Sequence, residues 1–198
     1  NLVLVLPYHV DSRQNPPGDT VSMSVVALQA FLSDILALAE GWPSYEFVIR
    51  AKDDDWTSLP EFRKLLSTIA HRVNVRVDDN YEVLNETYRL AAEASLVVAN
   101  FSSIVDEVRA LGIPCFVRDF TPQSSNLRDG MFEYLPSSIV CRSPSEFFDQ
   151  ISRCLSDGGT DYREILLRDA KVLYGSLNDG CVRARGKSNV LNLLRNSS

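Results

Sequence analysis

Two adjacent serines and the acidic residues after them form the segment of this chain that is best suited to bind a ligand. Ser102 and Ser103 follow the apolar run 95–100, and Glu107 comes four residues after Ser103. If the run is a buried strand and the serines begin a helix, free backbone N–H groups and the helix dipole favour an anion there. The hydroxyls add donors, and Glu107 lies one turn further along, where it can meet a ligand hydroxyl. An ordinary serine N-cap with an acidic first turn is the structural alternative.

Two cationic side chains, Arg50 and Lys52, lie at the end of another apolar run, 45–51. Two cations at such a position can neutralise a diphosphate or a sugar acid, so both are candidate catalytic residues. The alternative is that they pair with the acidic residues 53–55. That triplet could also bind a divalent cation, but a solvated acidic turn is the favoured interpretation, and we predict no metal site.

Polar residues also follow the first and third apolar runs. His9 comes directly after residues 1–8, where a neutral imidazole could donate to a phosphate or move a proton, so it is the third catalytic candidate. An ordinary loop histidine is the alternative. Asp79, in the polar stretch 78–80, is a further candidate binding residue, and capping of the next helix is its structural explanation. The chain has no Walker motif, no G-x-G-x-x-G motif and no serine- or cysteine-protease signature.

Strand and helix patterns alternate along the chain and predict the framework that positions these residues. An α/β fold of the Rossmann-like, three-layer type follows, in which a parallel sheet of about six strands is covered on both faces. Ligands of such sheets bind beyond the carboxyl ends of the strands. The predicted strands are residues 1–8, 45–51, 73–77, 95–100, 114–117 and 138–141. The predicted helices are residues 21–40, 60–71, 81–94, 102–112, 144–155, 161–173 and 181–194.

Length, charge and cysteine content narrow the class of protein. The 198 residues predict one domain, with the sheet core in 1–158 and closing helices in 159–198. A formal net charge of -6 argues against nucleic acid as a partner, and no apolar run is long enough for a membrane span. Four widely spaced cysteines without a C-x-x-C pair indicate a reducing compartment, so we expect a cytoplasmic protein, either free or at the inner face of the membrane.

The segment 97–117, VVANFSSIVDEVRALGIPCFV, resembles the donor-site segment of glycosyltransferases of the GT-B fold. It is most similar to the carboxyl-terminal halves of bacterial surface-polysaccharide enzymes of the capsule, Kdo-transferase and CDP-glycerol glycerophosphotransferase type. In those enzymes a strand ends in a serine pair, and an acidic residue and a Gly-x-Pro turn follow. The matching positions here are Ser102, Ser103, Glu107, Gly112 and Pro114.

This resemblance implies half of a GT-B fold, with Ser102 and Ser103 at a nucleotide phosphate and Glu107 at a donor hydroxyl, often of the ribose. It also implies that the nucleotide base lies against the region of Asp79. It implies transfer of a sugar from a nucleotide-activated donor, as substrate and without a further cofactor, to a growing surface polysaccharide. The chain begins inside a strand and without an initiator methionine, so we expect a segment of a longer protein whose facing domain binds the glycan acceptor. Two alternatives stay open: a nucleotide-sugar epimerase of the same architecture, and a non-catalytic scaffold or binding module.

Overall fold

Six parallel strands form the centre of the fold in the computed structural model. The structure describes residues 1–8, 23–81, 86–100, 102, 104–110, 112–120, 135, 138–162 and 164. The strands are β1 (Leu2–Leu6), β2 (Glu46–Ile49), β3 (Val75–Val77), β4 (Leu96–Ala99), β5 (Cys115–Arg118) and β6 (Val140–Cys141). Their spatial order is β3-β2-β1-β4-β5-β6, and every neighbouring pair is parallel. The predicted parallel sheet is confirmed.

The two central strands are apolar throughout because both of their faces are covered. β1 reads LVLVL and β4 reads LVVA, and every residue in them except the half-buried Leu2 is buried. Continuous apolar runs of this kind are typical of parallel strands that lie between two helical layers. The register pairs Val3 with Leu96 and Leu6 with Ala99, so β1 and β4 end at the same level of the sheet. The chain segments that leave these strands therefore begin side by side.

In the described ranges, five helices cover the two faces of the sheet. They are α1 (Met23–Gly41), α2 (Arg63–Ala70), α3 (Glu86–Glu93), α4 (Ile104–Ala110) and α5 (Pro144–Ser156). One apolar cluster joins α1, α2 and α5 to one face, and a second joins α3 and α4 to the other. The predicted three-layer arrangement is confirmed, and it places the turn after each strand at the same edge of the sheet.

The elements differ from the predicted ones mainly at their ends. Residues 60–71 form a single-turn 3₁₀ helix, Pro60–Phe62, and then α2, because a proline at the first position restricts the backbone of the opening turn. A second 3₁₀ turn, Asp55–Ser58, lies in the predicted acidic loop. Most of the predicted closing helices, 161–173 and 181–194, lies outside the described residues. No helix in the described ranges is long and apolar enough to cross a membrane.

Candidate functional site

The strand order reverses between β1 and β4, and this reversal defines the candidate site. The chain leaves β1 towards α1 on one face of the sheet and leaves β4 towards α4 on the other face. In open α/β sheets ligands bind at such a reversal, beyond the carboxyl ends of the strands, so the ends of β1 and β4 are the expected position of a binding crevice. The segment 100–107, singled out from the sequence, starts at the carboxyl end of β4. We call this place the switch-point crevice.

Asn100 is fully buried directly after β4, at the switch-point crevice. Its backbone N–H donates to the Leu6 carbonyl at 3.0 Å, and its side-chain Nδ2 donates to the Arg118 carbonyl at 3.0 Å. Among the residues that the structure describes, no donor to the amide oxygen Oδ1 is found. A buried acceptor without a partner costs about 1–3 kcal/mol, so this oxygen is a candidate acceptor for a hydrogen bond from a ligand.

The serine segment and Glu107 lie where α4 begins. Ser102 is half-buried, and its carbonyl accepts from the Val105 N–H at 3.4 Å, whereas Ser103 lies outside the described residues. Glu107 is exposed in the first turn of α4, and its Oε2 accepts a hydrogen bond of 2.6 Å from the Tyr88 hydroxyl on α3. This hydrogen bond raises the pKa of Tyr88 above its ordinary value of 10.0.

Arg50 is buried immediately after β2, and its guanidinium contacts groups from three other parts of the fold. NH1 lies 2.7 Å from Oδ2 of Asp78, which follows β3, and Nε donates to Thr87 Oγ1 on α3 at 3.3 Å. The guanidinium also lies 5.3 Å from the centre of the Tyr81 ring. Its ion-pair partner is therefore Asp78 and not the acidic triplet 53–55 considered from the sequence. The structure presents Arg50 as a link between β2, β3 and α3.

Two further predicted site residues, Lys52 and Asp79, lie at the edge formed by the carboxyl ends of the strands. Lys52 and Asp79 are exposed after β2 and β3, and no ion pair to either is found in the described ranges. Tyr81 has a raised pKa because of burial first and the nearby Asp54 carboxylate second. His9 lies outside the described residues, so its predicted role stays a prediction. Within the described ranges no three acidic, histidine or cysteine side chains come together as a metal site.

Two further ion pairs lie at the carboxyl ends of β5 and β6. Nε of Arg118, the last residue of β5, lies 2.6 Å from Oδ2 of Asp34 on α1, and its guanidinium lies 4.0 Å from the centre of the Phe120 ring. Arg142, after β6, lies 3.5 Å from Asp119, after β5. Together with the Arg50–Asp78 pair, these contacts hold the strand ends on both sides of the switch-point crevice.

Sequence reasoning missed Tyr88, Asp34 and the amide of Asn100 as members of this edge. Each is unremarkable in its local pattern, because a tyrosine or aspartate in an amphipathic helix is an ordinary surface residue. Only the strand order brings α3 beside α4 and the carboxyl end of β5 beside α1. A usable signal for Asn100 was present, since a polar residue directly after a fully apolar strand requires buried partners.

Comparisons with known proteins agree with this geometry. No family model matches the chain, and no curated protein matches it. Among solved structures it is similar to a mutant of the O-GlcNAc transferase of Thermobaculum terrenum, with a TM-score of 0.53 and 10% sequence identity. The match covers 92% of this chain and 35% of that chain. The fold is that of a GT-B half.

The likeness to this transferase is one of fold, because the identity is only 10%. The chain spans about a third of the length of that neighbour, so it corresponds to one portion of a larger molecule. Ligands of open α/β sheets bind at the carboxyl ends of the strands beside a reversal of strand order, which makes the ends of β1 and β4 the candidate site. In the described residues this position has the buried amide of Asn100, the half-buried Ser102 and the Glu107 carboxylate.

Proposed function

We propose that this chain is the donor-binding part of a glycosyltransferase that moves a sugar from a nucleotide-activated donor to a growing surface polysaccharide. One observation carries the proposal: the segment that resembles a GT-B donor site begins at the strand-order reversal, at the end of β4. Sequence resemblance and topology point to the same place independently. The transferase-like fold supports the proposal further.

The chemistry of the proposed reaction sets a clear requirement for the site. When the bond to the sugar breaks, negative charge develops on the departing phosphate, and donors already in place stabilise that charge without reorganisation. In this proposal Ser102 and Ser103 meet the phosphate, and Glu107 accepts from a donor hydroxyl. Lys52, which is exposed at the neighbouring strand end, supplies a mobile cation. Arg50 contributes through the arrangement of β2, β3 and α3, since its guanidinium is paired with Asp78.

The acceptor and the general base come from a second, facing domain in this proposal. GT-B sites lie between two such domains, which is why the resemblance implies one. The chain alone is then expected to bind the nucleotide weakly and to transfer little sugar. Full turnover by the isolated chain would contradict this part of the proposal.

Calorimetric titration with CMP, CDP, UDP and GDP tests the proposal directly. At least one nucleotide should bind, and Glu107→Ala should weaken it about tenfold or more, as expected for loss of a hydrogen bond to a charged group. Glu40→Ala is the matched control, because Glu40 is an exposed glutamate at the far end of α1 that pairs with Arg72 at 2.9 Å. This control should bind as tightly as the wild type. If none of the four nucleotides binds, the chain is a scaffold or partner-binding module instead.

A further inference from the structure

Arg109 is a buried cation on α4 whose guanidinium lacks acceptors. The residue is 1% exposed and lies in the last turn of the helix. Its Nε and NH1 are both buried, and no acceptor for either atom is found among the residues that the structure describes. A guanidinium carries several N–H donors and does not lose its proton in proteins. Arg109 is therefore a buried positive charge with an unmet demand for hydrogen-bond acceptors.

Compensation of this charge by the protein is weak. In the described ranges Arg109 has one ion pair, between NH1 and Oδ1 of Asp106, and its 3.8 Å length is too great for a hydrogen bond. The Asp106 side chain is 36% exposed, so water screens its charge, whereas Arg109 has almost no contact with water. The dipole of α4 favours a cation in the last turn, but a helix of seven residues gives only a modest effect. Removal of the guanidinium from water costs more than these two interactions return.

The surroundings of Arg109 are apolar or neutral. Val105 and Val108, which lie on the same side of α4, belong to the apolar cluster that joins this helix to the sheet. At the start of β5, burial raises the pKa of the Cys115 thiol to about 12, and the nearby Arg109 charge acts in the opposite direction. A thiol that is protonated at neutral pH is only a weak acceptor. A counter-charge for Arg109 must therefore come from a bound anion, and the burial of the guanidinium requires that this anion is small.

We propose that Arg109 binds a small inorganic anion between α4 and the start of β5. Charge-assisted hydrogen bonds from a guanidinium to an anion are among the strongest in proteins, which suits a site without other donors. The site is separate from the switch-point crevice, because α4 begins after the carboxyl end of β4 and Arg109 lies at the other end of this helix. The inference does not depend on the proposed function. An anion that binds the folded chain alone stabilises the fold.

The experiment measures the thermal unfolding temperature of the chain in sodium chloride, sodium phosphate and sodium gluconate at equal ionic strength. Gluconate is too large for a buried site and serves as the reference. In the wild type, chloride or phosphate at several times its dissociation constant should raise Tm by about 2–4 °C over gluconate, and the salt that does so tells a halide from an oxyanion. In Arg109→Met this rise should fall below about 1 °C. In gluconate, Arg109→Met should be at least as stable as the wild type, because it removes an uncompensated buried charge.

Arg153→Met is the matched control, because Arg153 also lies in the last turn of a helix, α5, but is exposed. This variant should keep the anion-dependent rise of the wild type. Asp106→Asn is a second test, which holds even if Arg109→Met does not fold: the rise should become larger, because the carboxylate that repels the anion is removed. The same Tm of the wild type in all three salts would overturn the anion site. A wild-type rise in Arg109→Met would also overturn it, because phosphate then acts only through general exclusion from the protein surface.

Discussion

The carboxyl ends of the strands form one edge of the sheet, which we call the ligand edge. Polar side chains at this edge are either hydrogen-bonded within the protein or open to a ligand, and this difference separates structural residues from binding residues. Arg50 belongs to the first kind, because its guanidinium bonds to Asp78 and Thr87 and stacks over Tyr81. Asn100 belongs to both kinds, since its Nδ2 donates to the Arg118 carbonyl, while no donor to its Oδ1 is found in the part of the chain that the structure describes. Burial and the geometry of hydrogen-bond partners distinguish these cases, whereas residue type alone does not.

Arg50→Met tests how strongly the buried ion pair supports the fold. The change leaves the Asp78 carboxylate buried without its closest partner, and we expect a loss of about 3–5 kcal/mol in the free energy of unfolding. Arg72→Met is the matched control, because Arg72 pairs with Glu40 at 2.9 Å near the protein surface and contacts neither Arg50 nor Asp78. It should cost less than about 1 kcal/mol. Urea unfolding measures the free energy of unfolding of both variants. Equal losses would contradict the larger stabilising role of the buried Arg50–Asp78 pair.

At the scale of elements, the turn after α5 sets how closely that helix approaches the sheet. Gly158 and Gly159 both have positive φ, at 67° and 80°. A Cβ on Gly159 would lie 3.0 Å from the Ser95 carbonyl and 3.1 Å from Pro114 Cγ, whereas one on Gly158 would meet nothing within 4 Å. Gly159 is thus needed for both its backbone conformation and its lack of a side chain.

The two glycines provide a paired test of this packing. Gly158→Ala carries only the cost of a left-handed conformation, about 1–2 kcal/mol. Gly159→Ala adds a collision with backbone and a proline ring, and its total cost should reach about 2–5 kcal/mol. Denaturant unfolding of both variants gives the comparison. If the two variants lose the same stability, the close approach at Ser95 is not a constraint on the fold.

Sequence patterns predicted the elements well and their contacts poorly. The runs LVLVL and LVVA identify buried parallel strands by composition alone, and Ser102 and Ser103 could be assigned to the end of such a strand. The partner of Arg50 could not be found this way. Neighbouring acidic residues at 53–55 looked closest along the chain, while the real partner, Asp78, comes from the next strand of the sheet. Contacts of this kind depend on strand order, which local patterns do not encode.

At the scale of the whole molecule, the core holds its cysteines as neutral thiols. Cys115, Cys141 and Cys154 are buried thiols that form no disulfide. Burial raises the pKa of Cys115 to about 12 and that of Cys141 to about 12, from an ordinary value of 9.0. In the unfolded chain both thiols lose their protons near the ordinary value, so the folded state binds more protons between about 9 and 12.

The stability of the protein should therefore fall as pH rises through that window. Each thiol lowers the free energy of unfolding by up to about 1.4 kcal/mol per pH unit. Chemical unfolding at several pH values between about 8.5 and 11 measures the slope. The double variant Cys115→Ala and Cys141→Ala should show a shallower slope than the wild type, even though its stability at neutral pH is lower. Identical slopes would mean that neither thiol is shielded from water.

Because all six strands are parallel, their carboxyl ends all lie at the ligand edge. The opposite end of the sheet is therefore available for chemical attachment without covering that edge. Val73, in the turn between α2 and β3, is fully exposed at that opposite end. A cysteine placed there would react readily with maleimide dyes or a surface linker, because the described native thiols are buried. Molecules immobilised through this position would all present the carboxyl ends of the strands to solution in one orientation, as a biosensor surface requires.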